Sequence, residues 1–299
     1  VIKDFAAVTQ LARKAGKRTI AVADAAGAEV LEALQMARSE SIGSAILVGV
    51  PDAIHAAAHE AGIKLDGYRI EPVTDPKTAA ARAVELCRTG DADVLMKGMT
   101  DTTTFLGAVL DDTRGLRTGA FLSHIVVLAC PAYPKLMWVT DGGFTPHPTY
   151  EQKVEIVRNA LAACRKIGIP EPRVAPLCGQ EKVHPRQPET EDADKLRQLG
   201  ESGELGPCIV AGPTAMDVAL SFDAAHHKGV QNPVAGDTDI FLVPSMAAGN
   251  IAAKALIWLA NAQAGGVVVG AAVPIVLLSR ADEAATKFNS IALCLALTA

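Results

Sequence analysis

Short runs of β-branched and aliphatic residues alternate with longer amphipathic stretches from one end of this chain to the other. That alternation restricts it to an α/β fold of mostly parallel sheets with helices on both faces. The strand-like runs are TIAVA from Thr19, AILVG from Ala45, VLMK from Val94, CIVA from Cys208, IFLVP from Ile240, VVVG from Val267 and PIVLL from Pro274. Each has the length of a strand buried on both sides. Between them AEVLEALQMARSE, DPKTAAARAVELCRTG and EQKVEIVRNALAACRKIG repeat apolar residues at helical intervals and would cover the sheets.

One place breaks the alternation. HIVVLAC and KLMWVTD are both strand-like and are joined only by PAYP, too short for a crossover helix, so they predict an antiparallel hairpin. The Gly- and Pro-rich DGGFTPHP follows, and Thr149 with Gln152 then forms a capping-box helix start. A lobe boundary near residue 142 is expected there. KVHPRQPETED reads as a polar, proline-containing loop further on, and no internal repeat is evident. At 299 residues, 49% of them hydrophobic, the chain is long enough to split into two lobes, each with its own core.

The balance of 28 basic and 33 acidic residues gives a net charge of −5, which offers no general attraction for nucleic acid or an anionic membrane surface. No apolar run reaches the roughly 18 to 20 residues a membrane helix needs. The opening VIKDFAAVTQ lacks a signal peptide's charged start and apolar centre, so a soluble, cytoplasmic protein is expected. The first residue is Val1, which leaves room for a preceding segment. Six cysteines, at 87, 130, 164, 178, 208 and 294, form no CxxC pair and sit mostly in apolar runs, as structural thiols do.

Several segments could carry chemistry. In PIVLLSRADEAATKFNSIAL a buried strand is expected to end at Ser279 and Arg280, with a helix beginning near Asp282. A hydroxyl, a guanidinium and free helix N–H groups would then meet at the carboxyl edge of the sheet, where such folds bind anionic ligands; the plain reading is a Ser cap beside a solvated Arg. DDTRGLRTGAFLSH sets Arg114, Arg117 and Thr118 in a glycine-punctuated loop, followed by Ser123 and His124. Arginine's planar fork matches phosphate, although an exposed turn would look the same. VLMKGMTDTTTF puts Lys97 just after a strand, and GDTDIFLVPSMAAGNIAAKAL puts Asn250 and Lys254 on one helix face. His55 and His59 of HAAAH have metal spacing without the catalytic Glu or a third ligand, so a helix face is expected and no metal. GxGxxG, GxxxxGK[ST] and GxSxG motifs are all missing.

Taken in order, LMKGMTDTTTFLGAVL, GLRTGAFLSH, TDGGFTPHPTYEQKVEIVRNA, VAGDTDIFLVPSMAAGNIAAKAL and PIVLLSRADEAATK resemble the phosphate acetyltransferase and butyryltransferase family, nearest its butyryltransferase branch. The resemblance runs from about residue 90 to the C-terminus. It implies a two-lobed fold like that of the isocitrate and isopropylmalate dehydrogenases, with a cleft between the lobes for coenzyme A and phosphate. It further implies a homodimer, no tightly bound cofactor and a place in butanoate metabolism. In that family the C-terminal strand and helix return to the first lobe, which places lobe one at 1–141 plus 271–299 and lobe two at 142–270.

The implied reaction is acyl-CoA plus inorganic phosphate giving acyl phosphate plus coenzyme A, with a short acyl chain and butyryl favoured. The resemblance assigns Ser279, Arg280 and Arg117 to catalysis, with Asp282 added as a catalytic candidate, while Thr118, Ser123, Lys97, Asn250 and Lys254 are the substrate-binding candidates read from their segments. The arginines would hold phosphate and neutralise charge, and Ser279 would hydrogen-bond the acyl carbonyl or its oxyanion. The acetyltransferase branch has its proposed basic Asp at the position of Thr286, which cannot serve as that base, so Asp282 is the replacement candidate. Gly142 stands where that branch often has Cys, which favours direct transfer in a ternary complex. Two other readings use the same motifs: a phosphate acetyltransferase, and a non-catalytic paralogue that binds coenzyme A or an acyl phosphate.

Overall fold

The computed structural model describes residues 2–279 and 282–299. Its contacts divide the chain into two compact units, one formed by Phe5–Ala120 with Gly265–Ala299 and the other by Phe121–Ala264 with the few residues before Phe5. The first unit is discontinuous. The divisions at 120/121 and 264/265 differ from the expected 141/142 and 270/271 for a reason of pairing. The predicted hairpin adds its second strand to the sheet of the middle segment, so the whole hairpin goes with that unit.

The first unit opens with α1 (Phe5–Lys14), β1 (Thr19–Ala23), α2 (Ala28–Ser39), β2 (Ser44–Gly49), α3 (Pro51–Glu60), β3 (Arg69–Pro72), α4 (Pro76–Arg88), β4 (Val94–Lys97) and α5 (Thr102–Val109). β1, β2, β3 and β4 pair in parallel, with Ile20 opposite both Ala45 and Val94, so every connection is a crossover helix. The chain moves outward through α2 and α3 and returns through α4; right-handed crossovers therefore put α4 on the opposite face from the first two. β1 and β4 are buried along nearly their whole length, which explains their unbroken apolar sequences.

The middle unit holds β5 (Ser123–Ala129), β6 (Met137–Thr140), α6 (Tyr150–Lys166), β7 (Arg173–Pro176), α7 (Pro188–Glu201), β8 (Ile209–Val210), α8 (Met216–Leu220), α9 (Phe222–His227), β9 (Ile240–Leu242) and α10 (Met246–Leu259). Its strands run in the order β5, β6, β9, β7, β8; β5 and β6 form the predicted antiparallel hairpin and the rest are parallel. Phe241 is buried at its centre, with the Tyr133 ring edge-on at 5.9 Å. The predicted capping box is present: the Thr149 hydroxyl accepts from the Gln152 N–H and the Gln152 side chain accepts from the Thr149 N–H. The expected loop KVHPRQPETED is loop only as far as Gln187, because Pro188 and the acidic residues after it make a favourable first helical turn for α7.

The chain re-enters the first unit through β10 (Gln263–Val269), β11 (Ile275–Val276) and α11 (Ala284–Ala296). β11 lies parallel to β4, with Ile275 opposite Leu95, and antiparallel to β10, with Val268 opposite Ile275. α11 packs against α1 and α2. No helix among the described residues is long and apolar enough to cross a membrane. Thr149→Ala should cost about 1 kcal/mol of unfolding free energy, the usual worth of an N-cap, read as a shift of the denaturation midpoint without a change in slope.

Candidate active site

Because β1, β4 and β11 are parallel, Asp24, Lys97 and the segment leading to Ser279 all leave from one edge of the first unit's sheet. This carboxyl edge is where open α/β sheets bind ligands. The ends of β1 and β4 are stitched together there: the Gly98 and Met99 N–H groups donate to the carbonyls of Ala23 (2.9 Å) and Asp24 (2.8 Å), and the Thr100 hydroxyl donates to Ala23 (3.3 Å). A β-carbon on Gly98 would fall 2.1 Å from the Asp24 carbonyl oxygen, so only glycine allows this approach.

Lys97 is only 5% exposed, and its ammonium donates to the carbonyls of Gly98 (3.3 Å) and Thr100 (3.1 Å). Asp24 beside it holds a left-handed backbone, φ 61°. Burial raises the Asp24 carboxyl above the usual aspartate range, against the opposing pull of the Ala26 N–H and of Lys97. Sequence reasoning passed over Asp24, although an acidic residue directly after a buried apolar strand was the signal.

Ser279 and Asp282 hold each other through two hydrogen bonds. The Asp282 carboxylate accepts from the Ser279 N–H at 2.9 Å, and the Asp282 N–H donates back to the Ser279 carbonyl at 3.2 Å. β11 stops at Val276 and α11 starts only at Ala284, so the strand ends earlier and the helix begins later than expected. Asp282 therefore caps the turn that carries Ser279 rather than the helix. Arg280 lies outside the described residues. Thr286 stands in the first turn of α11, followed by the buried Lys287.

Arg117 is not brought to this edge. Its backbone bridges Ala271, at the tip of the β10–β11 hairpin, while Ser279 follows the opposite end of β11. The Arg117 guanidinium pairs with Asp112, and the Thr118 hydroxyl donates to the Gly270 carbonyl at 2.8 Å. α5 accounts for the separation, since it carries the chain from the carboxyl edge back down the unit before the GLRTG loop begins. The loop is shaped by Asp111, whose carboxylate accepts from the N–H groups of Arg114 (2.8 Å) and Thr113 (3.0 Å), which holds its pKa down to about 2.

In the middle unit, the carboxyl end of β6 carries its own cluster. The buried Asp141 carboxylate accepts N–H groups from Gly143 (2.9 Å), Phe144 (2.7 Å) and His124 (3.2 Å), which folds the DGGFT loop around it. The His124 ring lies against that loop; a β-carbon on Gly143 would come within 2.4 Å of Nδ1. Asn250, near the start of α10, reaches the Gly142 carbonyl at 3.5 Å, and Lys254 is exposed one turn further. Ser123 belongs to the interior: it is 0% exposed and its hydroxyl accepts from the Asn159 amide at 3.0 Å, so it is not presented to a ligand. The acidic residue of the TDGG motif, with glycines behind it, was the readable sign of Asp141.

His55 and His59 stand on the exposed side of α3, as expected for a helix face. Burial raises the thiols of Cys87 and Cys178 to about 12 and pushes Cys164, Cys208 and Cys294 up as well, the behaviour of structural cysteines.

Strand order and the carboxyl-edge cluster define an open α/β protein with a candidate site at the ends of its parallel strands, and comparison with known proteins gives its family. Residues 71–295 match the family model described as Phosphate acetyl/butaryl transferase, and the chain belongs to that family. Phosphate butyryltransferase of Clostridium acetobutylicum is 42% identical over 98% of this chain and 97% of its own length. Phosphate acetyltransferase of Thermotoga maritima is 36% identical over 96% of this chain and 97% of its own. Among solved structures, a branched-chain phosphotransacylase from Enterococcus faecalis V583 superposes with a TM-score of 0.84 at 29% identity, covering 94% of this chain and 99% of that one. The dehydrogenase-like fold also has its counterpart: a putative 4-hydroxythreonine-4-phosphate dehydrogenase from Salmonella typhimurium shares the fold at 14% identity, with a TM-score of 0.60 and coverage of 94% and 99%.

Gly98→Ala should destabilise the protein by about 1 to 3 kcal/mol, because its methyl group meets backbone rather than a movable side chain. Thermal or denaturant unfolding measures this, and an unchanged midpoint would contradict the close packing of β1 on β4.

Proposed function

We propose that the chain is a phosphate acyltransferase that converts a short-chain acyl-CoA and inorganic phosphate to acyl phosphate and coenzyme A, with butyryl favoured. The observation that carries this reading is the near-full-length relation to named phosphate butyryltransferases, at 42% and 40% identity. Two of the family's motif segments, those of Lys97 and Ser279, also share one sheet edge. In the reaction a phosphate oxygen attacks the thioester carbonyl and the sulfur leaves as thiolate. Ser279 donates its hydroxyl to the carbonyl oxygen as negative charge develops there, and Asp282 keeps the turn closed around it. The phosphate-holding role rests on Arg280, since Arg117 stands at the far end of β11. The raised thiol pKa values support direct transfer in a ternary complex over a cysteine acyl-enzyme, which needs a thiolate. Coenzyme A is a substrate and product here, not a resident cofactor.

The six free cysteines support a cytoplasmic enzyme, and the butyryltransferase relatives support a place in butanoate metabolism. A homodimer is supported by one face of α10, where Ile251, Trp258 and Leu259 are 69%, 79% and 85% exposed. An exposed apolar stripe on a single helix suits a two-fold contact with the same stripe of a second copy. Trp258→Glu should shift the sedimenting mass from dimer towards monomer; a monomeric wild type would remove the proposal.

Release of free thiol from acetyl-, propionyl-, butyryl- and valeryl-CoA, with and without phosphate, tests the activity. Phosphate-dependent release is expected, with kcat/KM rising from acetyl to butyryl by the about 1 to 3 kcal/mol that each added methylene contributes in an apolar pocket. Ser279→Ala should lower kcat by roughly 10²-fold. Equal efficiency with acetyl- and butyryl-CoA would return the chain to the acetyltransferase reading. Coenzyme A binding without turnover would indicate the non-catalytic paralogue.

A further inference from the structure

Lys287 breaks several local rules at once. It is 4% exposed, in the first turn of α11, where the helix macrodipole disfavours a cation. No carboxylate among the described residues lies within ion-pair distance of it, and its ammonium donates instead to the Asp282 carbonyl. Burial lowers its pKa below the ordinary lysine range, and the two charged groups that oppose the shift are Asp282, from the turn before the helix, and Glu29, from the first turn of α2. An apolar side chain of similar length would fill the same space between α11 and α2 without a buried charge. A cation retained in so unfavourable a place, directly behind the turn that carries Ser279, calls for a role in the site.

We infer that Lys287 is a positioning residue for acyl transfer. Its ammonium anchors the Asp282 carbonyl, the Asp282 carboxylate holds the Ser279 N–H, and the buried positive charge sits behind the edge where phosphate and the leaving thiolate gather. The role rests on the phosphate acyltransferase reading and extends it: the chain that has Thr286 in place of a carboxylate supplies a cation one residue further on. Lys287 holds geometry and potential rather than exchanging a proton with substrate, so its protonated form is the active one. Raising the pH through its lowered pKa removes the charge and should depress kcat on the alkaline side.

The test compares wild type, Lys287→Met and Lys287→Arg in the acyl-CoA plus phosphate direction, where no free thiol titrates at the start. Lys287→Met should lower kcat by roughly tenfold to a hundredfold while leaving KM for acyl-CoA within about twofold, the signature of lost positioning rather than lost binding. Its melting temperature should stay level or rise, because a buried charge is removed; a merely structural lysine would instead lose stability and activity together. Lys287→Arg, whose guanidinium stays protonated, should keep measurable activity and lose the alkaline fall in kcat seen in wild type. Wild-type kcat in Lys287→Met, or the same alkaline fall in Lys287→Arg, would overturn the inference. If wild type itself releases no thiol with phosphate, the acyltransferase reading fails instead, and the two failures are told apart by that control.

Discussion

The parallel pairing of β1, β4 and β11 decides where chemistry can occur in this protein. Parallel strands share a direction, so their carboxyl ends collect at one edge, and their crossover helices hide both faces from water. That edge gathers residues from positions far apart in sequence: Asp24 at the end of β1, Lys97 at the end of β4 and Ser279 beyond β11. The contact at Gly98 is what lets β1 and β4 close on each other there, because a side chain would collide with the carbonyl it packs against. The order of the site thus depends on backbone pairing before any side chain takes part.

Charge is distributed over this edge in an unusual way. Two lysines, Lys97 and Lys287, are almost wholly withdrawn from solvent, and each donates to backbone carbonyls. Elsewhere the buried lysines are neutralised directly: Lys135 contacts Asp237 and Asp239, and Lys153 contacts Asp192. A carbonyl fixes an ammonium in space, and the carboxylates that act on these two lysines, Asp24 on Lys97 and Asp282 and Glu29 on Lys287, act through their fields. Ammonium groups fixed in this way need little rearrangement when an anion arrives at the edge, which is the preorganised condition that favours charge development on a reacting carbonyl.

Much of this fold can be read from the sequence because buried parallel strands leave a strong mark. TIAVA, VLMK and the hairpin pair are all where their apolar runs put them, and the Thr149–Gln152 cap is a local interaction that local sequence describes completely. Edge strands such as β3, whose RIEP sequence is half polar and ends in proline, carry no such mark. Long-range pairing is hidden for a different reason: nothing within the hairpin says that β6 pairs with β9, about a hundred residues later, so only the folded chain assigns it. The site shows the same divide. Ser279 and Lys97 announce themselves as polar residues after apolar strands, whereas the burial of Ser123 and the placement of Arg117 at the other end of β11 follow from register and helix direction. Lys287 is least visible of all, since a lysine on an amphipathic helix ordinarily faces water.

The first unit is assembled from both ends of the chain, and this has a consequence in time. During synthesis the middle segment emerges whole and can close its own core around Phe241, while β4 waits with an unpaired edge for β11. The Ser279 segment and the helix that packs on α1 and α2 arrive after the middle unit. The carboxyl-edge cluster is therefore completed only after β11 and α11 have followed the middle unit out, so a nascent chain cannot expose a finished site before that unit has been made.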